Sequence, residues 1–296
     1  MVHYSLCPFC NSQNIGKALS VKDYTVSSKI FELIKCSDCT GMFTQDVPGQ
    51  EDIGSYYASE NYISHSDTQK GFINKLYHRV RQKTLQGKWA LVKNETNTNA
   101  GNILDIGCGT GAFLNLMKNK GWQITGLEPD ATARQNAEKL YQVAPMPITN
   151  FFTLANGSYD AITMWHVLEH VHQLHEYIDK IKSLLTENGK AFIAVPNYTS
   201  YDAQYYKEYW AAYDVPRHLY HFSPQSIKAL VESHGMKLQK MKAMWYDSFY
   251  VSMLSEQYKN GKSNHIKAFV AGLISNINAL FNPSKCSSVI YIISKN

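Results

Sequence analysis

The stretch Leu104-Asp105-Ile106-Gly107-Cys108-Gly109-Thr110-Gly111 decides the fold of this chain. We expect the run from Asn102 to Ile106 to form a buried strand that ends in a tight glycine turn. A helix is predicted to begin at Ala112 and to end at Lys120-Gly121, a basic last turn followed by a C-terminal glycine. This order of strand, glycine loop and helix is typical of a unit that binds an anionic or nucleotide-like ligand at the helix N-terminus.

The glycines and the following acid fit an adenosine-type ligand. Gly107 lets the chain turn sharply, and Gly109 and Gly111 leave no Cβ between the backbone and the ligand. A second predicted strand, Trp122 to Leu127, ends in Glu128, which lies 21 residues after Gly107. Nucleotide-binding units carry an acid at about this distance for the ribose hydroxyls.

The spacing of the glycines in the loop indicates which nucleotide-binding family the chain resembles. It reads G-x-G-x-G, which differs from the G-x-G-x-x-G of dinucleotide oxidoreductases and from a P-loop. With Asp105 before its first glycine, it resembles motif I of class I S-adenosylmethionine-dependent methyltransferases. Further stretches resemble this family, namely Glu128-Pro129-Asp130, Tyr159-Asp160-Ala161-Ile162, Val167-Leu168-Glu169-His170-Val171 and Lys190 to Asn197.

The resemblance implies S-adenosylmethionine as methyl donor and S-adenosylhomocysteine as product. It implies that Glu128 binds the ribose and that Asn150 holds the adenine amino group, where the family usually has Asp. The full set of cofactor-binding residues carried over from the family is Asp105, Gly107, Cys108, Gly109, Gly111, Glu128, Pro129, Asn150 and Trp165.

Strands and helices are predicted to alternate along residues 100–296. We expect an α/β, Rossmann-like fold, with a seven-stranded, mostly parallel sheet and helices on both faces. A short third strand is predicted near Val143. Insertions at 198–222 and 246–285 are expected to form a substrate pocket and a helical lid, with an apolar pocket if Val251, Leu254 and Phe269 face a cavity. The second insertion could instead form a homodimer interface.

Four cysteines near the N-terminus predict a metal site. Cys7, Cys10, Cys36 and Cys39 form two C-x2-C pairs, which suits a structural zinc ribbon over residues 1–50 with a hairpin through Val21–Val26 and Phe31–Lys35. A redox role is disfavoured because two pairs occur and neither lies beside a βαβ unit. The ribbon could also contact RNA.

Residues 51–99 change in character and are predicted to be a helical cap and linker. Ser55-Tyr56-Tyr57 and Glu60-Asn61-Tyr62 are aromatic and polar, and Phe72, Leu76 and Val80 have helical spacing. The tyrosines could contact cofactor or substrate, or cover the edge of the sheet.

Histidines are the candidate bases for methyl transfer to oxygen. His166 is our first choice, because it follows the fourth predicted strand of the catalytic domain, and His218 is the second. The resemblance offers another reading, since ubiquinone-pathway O-methyltransferases carry a similar acid-x-x-Glu-His stretch and use a divalent metal. His166, Glu169 and His170 could therefore hold a second metal.

The amino-acid composition excludes few classes of function. The net charge of +5 over 296 residues gives no argument for nucleic acid, and no apolar run is long enough for a membrane span. Because no signal peptide is visible, a cytoplasmic location is expected. We expect O-methylation of a small or lipid-linked acceptor. The alternatives are an RNA methyltransferase that docks through its ribbon and a cofactor-binding protein without catalysis.

Overall fold

A computed structural model describes residues 1–57, 72–262 and 264–296, with the backbone alone for 72–78. The predicted Glu60-Asn61-Tyr62 stretch lies outside the described residues, as do the side chains of Phe72 and Leu76. The described chain forms two compact units. We call residues 1–57, 166–178 and 194–292 the ribbon unit, and residues 72–165, 179–193 and 293–296 the glycine-loop unit.

Ten strands and eight α-helices form the framework of the described chain. The strands are β1 (Ile15–Lys22), β2 (Ile30–Cys36), β3 (Met42–Thr44), β4 (Asn102–Ile106), β5 (Gln123–Leu127), β6 (Tyr159–Trp165), β7 (Leu185–Pro196), β8 (Tyr220–His221), β9 (Met236–Ala243) and β10 (Ser288–Lys295). The helices are α1 (Phe72–Thr96), α2 (Ala112–Asn119), α3 (Ala131–Tyr141), α4 (Leu174–Leu184), α5 (Tyr201–Tyr206), α6 (Pro224–Ser233), α7 (Asp247–Asn260) and α8 (His265–Phe281). None of the helices in the described ranges is both long and apolar enough to cross a bilayer.

The larger sheet confirms the predicted α/β fold but not its strand count. Its six strands have the order β5-β4-β6-β7-β10-β9, and β4 pairs in parallel with both β5 and β6. The predicted third strand near Val143 is the one that is missing. Met146 forms only an isolated parallel bridge with Leu127, because Pro145 and Pro147 on either side cannot donate to a ladder.

Close packing around β4 fixes the start of the glycine loop. Helix α2 buries Phe113, Leu114 and Met117. Gly126 of β5 lies against this helix, and a Cβ at this position would come within 2.6 Å of the Leu114 side chain. Helix α3 begins where the Asp130 carboxylate accepts the backbone N–H of Ala133 at 2.6 Å, as its N-cap position predicts.

The second sheet lies in the ribbon unit and joins two distant parts of the sequence. Strands β1, β2 and β3 form an antiparallel meander, and β8, from the first predicted insertion, pairs with β3 through Met42–His221 and Phe43–Tyr220. The predicted ribbon hairpin is displaced, since β1 begins at Ile15 and ends at Lys22. Asp23 ends it by accepting the backbone N–H groups of residues 25, 26 and 27, which fold the chain into a turn.

Both predicted insertions meet at one buried carboxylate in the ribbon unit. Asp202 of α5 accepts hydrogen bonds from the indole of Trp210 at 2.8 Å, from Ser275 of α8 at 2.6 Å and from Ser287 at 2.7 Å. The carboxylate is fully buried, so these three donors replace the water that it loses. The two insertions therefore form one packed body.

Candidate functional site

The glycine loop adopts a conformation that requires glycine at alternate positions. Gly107, Gly109 and Gly111 have φ angles of 71°, 54° and 77°, in the left-handed region that other residues rarely adopt. The backbone N–H groups of Gly107 and Cys108 donate to the Leu127 carbonyl at 2.7 and 3.0 Å. The turn is thus tied to the end of the neighbouring strand β5.

Two of these glycines have different steric surroundings. A Cβ at Gly109 would have no described atom within 4 Å, which leaves room for a ligand as predicted. A Cβ at Gly111 would lie 3.0 Å from the Ala137 side chain and 3.4 Å from Val143. Gly111 is therefore needed for close packing against α3 rather than for space at the ligand.

The Glu128 carboxylate links the loop to the next helix. It accepts the backbone N–H of Gly109 at 2.8 Å through Oε2 and that of Asp130 at 3.0 Å through Oε1. Only 6% of the residue is exposed. Since a carboxylate has about four acceptor positions, the group can still accept from ribose hydroxyls.

Asp105 is a buried carboxyl next to this loop, and it accepts a hydrogen bond from Thr163 Oγ1 at 2.6 Å. Burial raises the pKa of Asp105 to about 7, against the Thr163 hydrogen bond and the Lys88 charge, which lower it. Burial, together with the two nearby carboxylates, also raises the pKa of the Cys108 thiol. Cys108 is therefore held as a neutral thiol.

Trp165, at the end of β6, has an unused donor. Its ring packs edge-to-face on Phe113 with centroids 5.7 Å apart, and Lys88 Nζ lies 4.2 Å from its centroid. Its buried Nε1–H has no hydrogen-bond partner within the described part of the chain. Buried donors are nearly always paired in proteins, so this indole is a candidate ligand contact.

The remaining cofactor candidates lie in the same unit. Asn150 is half-buried in the short 3₁₀ turn Ile148–Thr153, and the carbonyl of Pro129 accepts from the Arg134 guanidinium at 2.7 Å. The glycine-loop unit thus contains all nine predicted cofactor residues. Their contacts with a cofactor stay a prediction.

His166 is clamped between two carboxylates in the ribbon unit. Its Nε2 lies 2.8 Å from Asp247 Oδ2, and its Nδ1 lies 3.3 Å from Glu169 Oε1. Burial disfavours the charged ring, but Asp247 and Glu169 outweigh burial and raise the pKa of His166 to about 10. A ring that is protonated at neutral pH has no lone pair, so this geometry does not favour our first choice of base.

His218, rather than His166, lies in a cluster with Glu169 and His170. These three residues offer ligand atoms that lie within 4.8 Å of one another, whereas the sequence grouped Glu169 and His170 with His166. Each histidine places Nδ1 near a backbone carbonyl, at 3.0 Å from Arg217 for His170 and at 2.9 Å from Ala212 for His218. Nδ1–H therefore donates in both rings, so the lone pair of the neutral ring is on Nε2.

Glu169 supplies the unsatisfied atom of this cluster. The residue is fully buried, and Oε2 has no hydrogen-bond partner among the described residues. Burial lowers the pKa of the neighbouring His170 to about 4, so this ring is neutral at pH 7. The Tyr57 hydroxyl of the predicted cap lies 3.0 Å from His170 Nδ1.

A buried arginine holds the segment that carries His218. Arg217 pairs with Asp214 in the same turn, lies 3.6 Å from Asp23 after β1, and donates to the Tyr56 carbonyl at 2.9 Å. Asp214, Asp23 and Asp247 were not predicted from the sequence. Asp23 and Asp247 meet Arg217 and His166 only in the fold, so no local pattern marks them. Asp214, by contrast, lies three residues before Arg217 and could have been found from this spacing.

The four N-terminal cysteines have the geometry of a tetrahedral metal site. Their sulfur atoms all lie within 4.8 Å of one another, with Cys7–Cys39 at 3.5 Å and Cys10–Cys36 at 3.7 Å. Zinc–sulfur bonds of about 2.3 Å in a tetrahedron place sulfur atoms about 3.8 Å apart. The cysteines therefore fit zinc, although its presence stays a prediction.

The ribbon contacts the histidine-rich segments of its own unit. Thr44 of β3 donates to the His218 carbonyl at 2.7 Å, and its hydroxyl lies 3.0 Å from His221 Nε2. His175 Nε2 lies 3.0 Å from the Pro8 carbonyl, between the first two cysteines. Loss of the ribbon structure would thus remove contacts that hold His218.

We expect Cys36→Ser to abolish zinc binding, because it removes one of four thiolate ligands. Elemental analysis of the wild-type protein should give about one zinc per chain. The control is Cys286→Ser, which changes a buried cysteine outside the cluster and should keep the metal. A wild-type protein purified without zinc that takes none up would contradict the assignment.

Asp105→Asn should change how stability depends on pH. The folded-state pKa of about 7 lies above the ordinary 3.8, so the unfolded chain ionises first and the wild-type protein loses stability as pH rises towards 7. The stability of Asp105→Asn relative to wild type should therefore increase by about 2–3 kcal/mol between pH 5 and pH 8, because only the wild type loses stability over this range.

Urea unfolding of the ligand-free protein measures this difference. The control is Asp130→Asn, which changes an exposed carboxylate at a helix N-cap where Asn serves as well as Asp. A constant difference between Asp105→Asn and wild type across this pH range would show that Asp105 is ionised throughout.

Comparison with known proteins agrees with this geometry. Residues 69–240 match the family model described as a methyltransferase domain. A ubiquinone biosynthesis O-methyltransferase of Glaesserella parasuis is 34% identical over 123 residues, which are 38% of this chain and 52% of that protein, so the chain spans about half the length of this relative. The enzyme of the same name from Aeromonas salmonicida is 27% identical over 183 residues, covering 57% of this chain and 74% of that protein.

A solved structure shows the same fold. Magnesium protoporphyrin IX methyltransferase from Synechocystis, with bound S-adenosylhomocysteine, superimposes with a TM-score of 0.50 and 14% identity, over 79% of this chain and 91% of that one. The glycine loop, the acid that ends β5 and the family match lead to one conclusion. The chain belongs to the methyltransferase-domain family.

Proposed function

We propose that this methyltransferase transfers the methyl group of S-adenosylmethionine to a hydroxyl oxygen of a small or lipid-linked aromatic acceptor. The observation that carries the proposal is the cluster of Glu169, His170 and His218, in which Oε2 of Glu169 has no hydrogen-bond partner among the described residues. The names of the relatives, ubiquinone biosynthesis O-methyltransferases, support an oxygen acceptor.

Methyl transfer from a sulfonium mainly requires the enzyme to position the donor and the acceptor. The donor is already activated, so the protein contributes most by holding the reacting atoms in line and by excluding water. The cofactor would be held in the glycine-loop unit, where Glu128 and the Trp165 indole offer polar contacts and Gly109 leaves open space.

A hydroxyl acceptor must also lose its proton. A phenol has a pKa of about 10, so at neutral pH a nearby acceptor for the proton accelerates the reaction. The proposal assigns this role to the Nε2 lone pair of His218 rather than to His166, whose ring is already protonated. Glu169 would accept a hydrogen bond from a second polar group of the acceptor.

As an alternative to a histidine base, the same three side chains fit a divalent cation, which would then bind the Nε2 lone pair of His218. Two imidazoles and one carboxylate are a donor set that binds Mn²⁺, Fe²⁺ or Zn²⁺, and a cation would satisfy Oε2 of Glu169, which has no partner among the described residues. Such a cation, when bound, lowers the pKa of a coordinated hydroxyl. Glu169, His170 and His218 would hold it, and the Nδ1–H bonds to backbone carbonyls would orient the two rings.

The test of the function uses labelled S-adenosylmethionine with phenolic and catecholic acceptors, followed by mass spectrometry of the product. We expect a methyl ether, and we expect His218→Gln to lower kcat by about 100-fold because it removes the proton acceptor. The affinity for S-adenosylhomocysteine should stay unchanged. His3→Gln is the matched control, since that histidine is exposed.

Two results would overturn the proposal. One is a product methylated at nitrogen or carbon. The other is full turnover by His218→Gln with every acceptor that the wild type methylates. Calorimetry with Mn²⁺ separately tests the cation, because His218→Gln should weaken its binding whether or not an acceptor has been found.

Glu128→Gln is expected to weaken binding of S-adenosylhomocysteine by about 1–3 kcal/mol, through loss of charge-assisted hydrogen bonds to the ribose. Titration calorimetry measures this change. Glu138→Gln, at an exposed position of α3, is the control. An unchanged affinity would remove Glu128 from the ribose and leave it with its structural role at the loop.

A further inference from the structure

Helix α8 of the ribbon unit buries small residues and exposes large apolar ones, whereas a surface helix usually buries its large apolar residues. Its buried residues are all small, namely Ala268, Ala271, Gly272, Ser275 and Ala279. A Cβ at Gly272 would come within 2.9 Å of the Phe249 ring and 3.1 Å of the Ser248 carbonyl of α7. The two helices therefore pack closely through the small face of α8.

The large apolar side chains of α8 point outward. They are 41–88% exposed and comprise Ile266, Phe269, Val270, Leu273, Ile277, Leu280 and Phe281. At about 100° per residue, these positions fall on one stripe about 120° wide. A contiguous exposed apolar surface of this kind marks an interaction site rather than ordinary surface variation.

Exposed aromatic residues with polar groups occur around the start of α7, the helix that packs on α8. Trp245 and Tyr246 precede α7, and both are about two-fifths exposed, while Tyr250 on α7 is half exposed. Asn276 of α8 donates to the Trp245 carbonyl at 2.7 Å, which fixes Trp245 beside α8. Trp and Tyr are enriched where a protein meets the boundary between water and lipid.

The charge of this segment has one sign. After Glu256 the remaining 40 residues contain no Asp or Glu, and they carry Lys259, Lys262, Lys267, Lys285 and Lys295. Lys262 and Lys267 flank the beginning of α8, and Lys285 follows its end. The apolar stripe thus has exposed cations at both ends, which complement an anionic surface.

We propose that α8 docks on an anionic lipid surface, with its stripe in the boundary between headgroups and acyl chains and its flanking lysines on the lipid phosphates. A second copy of the chain fits this face less well. Symmetric pairing would bring two lysine-bearing segments together with no carboxylate after Glu256 to compensate them. The inference rests on α8 and its surroundings and is independent of the acceptor.

The experiment is flotation of the full-length protein with vesicles of phosphatidylcholine, alone or mixed with phosphatidylglycerol. We expect binding to the mixed vesicles that weakens with added salt. The double variant Leu273→Gln/Leu280→Gln should reduce this binding by about tenfold or more, because it removes two exposed apolar anchors. Lys262→Ala/Lys267→Ala should reduce binding to the anionic vesicles selectively.

Leu140→Gln, at a half-exposed leucine of α3, is the matched control and should bind the vesicles like wild type. Thermal unfolding and binding of S-adenosylhomocysteine should be unchanged in every variant, which shows that the fold is intact. Failure of the wild type to float with anionic vesicles would overturn the proposal, as would equal flotation of the leucine double variant. A dimer in sedimentation that Leu280→Gln dissociates, without vesicle binding, would instead assign the face to a second copy.

Discussion

The glycine-loop unit depends on how the Glu128 carboxylate binds two backbone amides. One amide belongs to Gly109 in the loop and the other to Asp130 at the start of α3, so a single side chain fixes both segments that follow β4 and β5. Hydrogen bonds to a charged acceptor are stronger than neutral ones, and this group is nearly buried. The loop is therefore shaped before any ligand arrives, which lowers the entropy cost of binding one.

The ribbon unit buries several ionisable groups, and each of them needs a partner to offset the cost of losing water. Arg217, Glu169 and Asp202 are almost fully inaccessible, and such groups are tolerated only when paired or hydrogen-bonded. Arg217 and Asp202 have partners for their charged atoms, but Oε2 of Glu169 has none among the described residues. An unsatisfied buried carboxylate oxygen destabilises the fold, and function is the usual reason that such an atom is retained.

Features with local causes could be predicted from the sequence. Ser223 and Pro224 mark the start of α6, and the structure has the capping box that Ser223 makes with Ser226. Features that depend on distant residues could not be predicted. His166 follows β6 as expected, but its charge depends on Asp247, which lies 81 residues further along the chain. A pattern therefore locates a histidine, while its partners decide whether it can accept a proton.

The packing of helix α8 is a second feature that could not be predicted from the sequence alone. Its sequence is apolar nearly all round, so hydrophobic periodicity alone could not tell which face is buried, and the sequence left open whether Phe269 faces a cavity. Phe269 is instead 58% exposed and stacks on Phe249, while Val251 of α7 packs against the buried cluster of the ribbon unit. The informative signal was the spacing of small residues, since Ala268, Gly272 and Ser275 allow a close approach that larger side chains prevent. Close packing on α7 thus leaves the large apolar side chains of α8 largely exposed, with Phe269 at the edge of the contact, where it also stacks on Phe249 of α7.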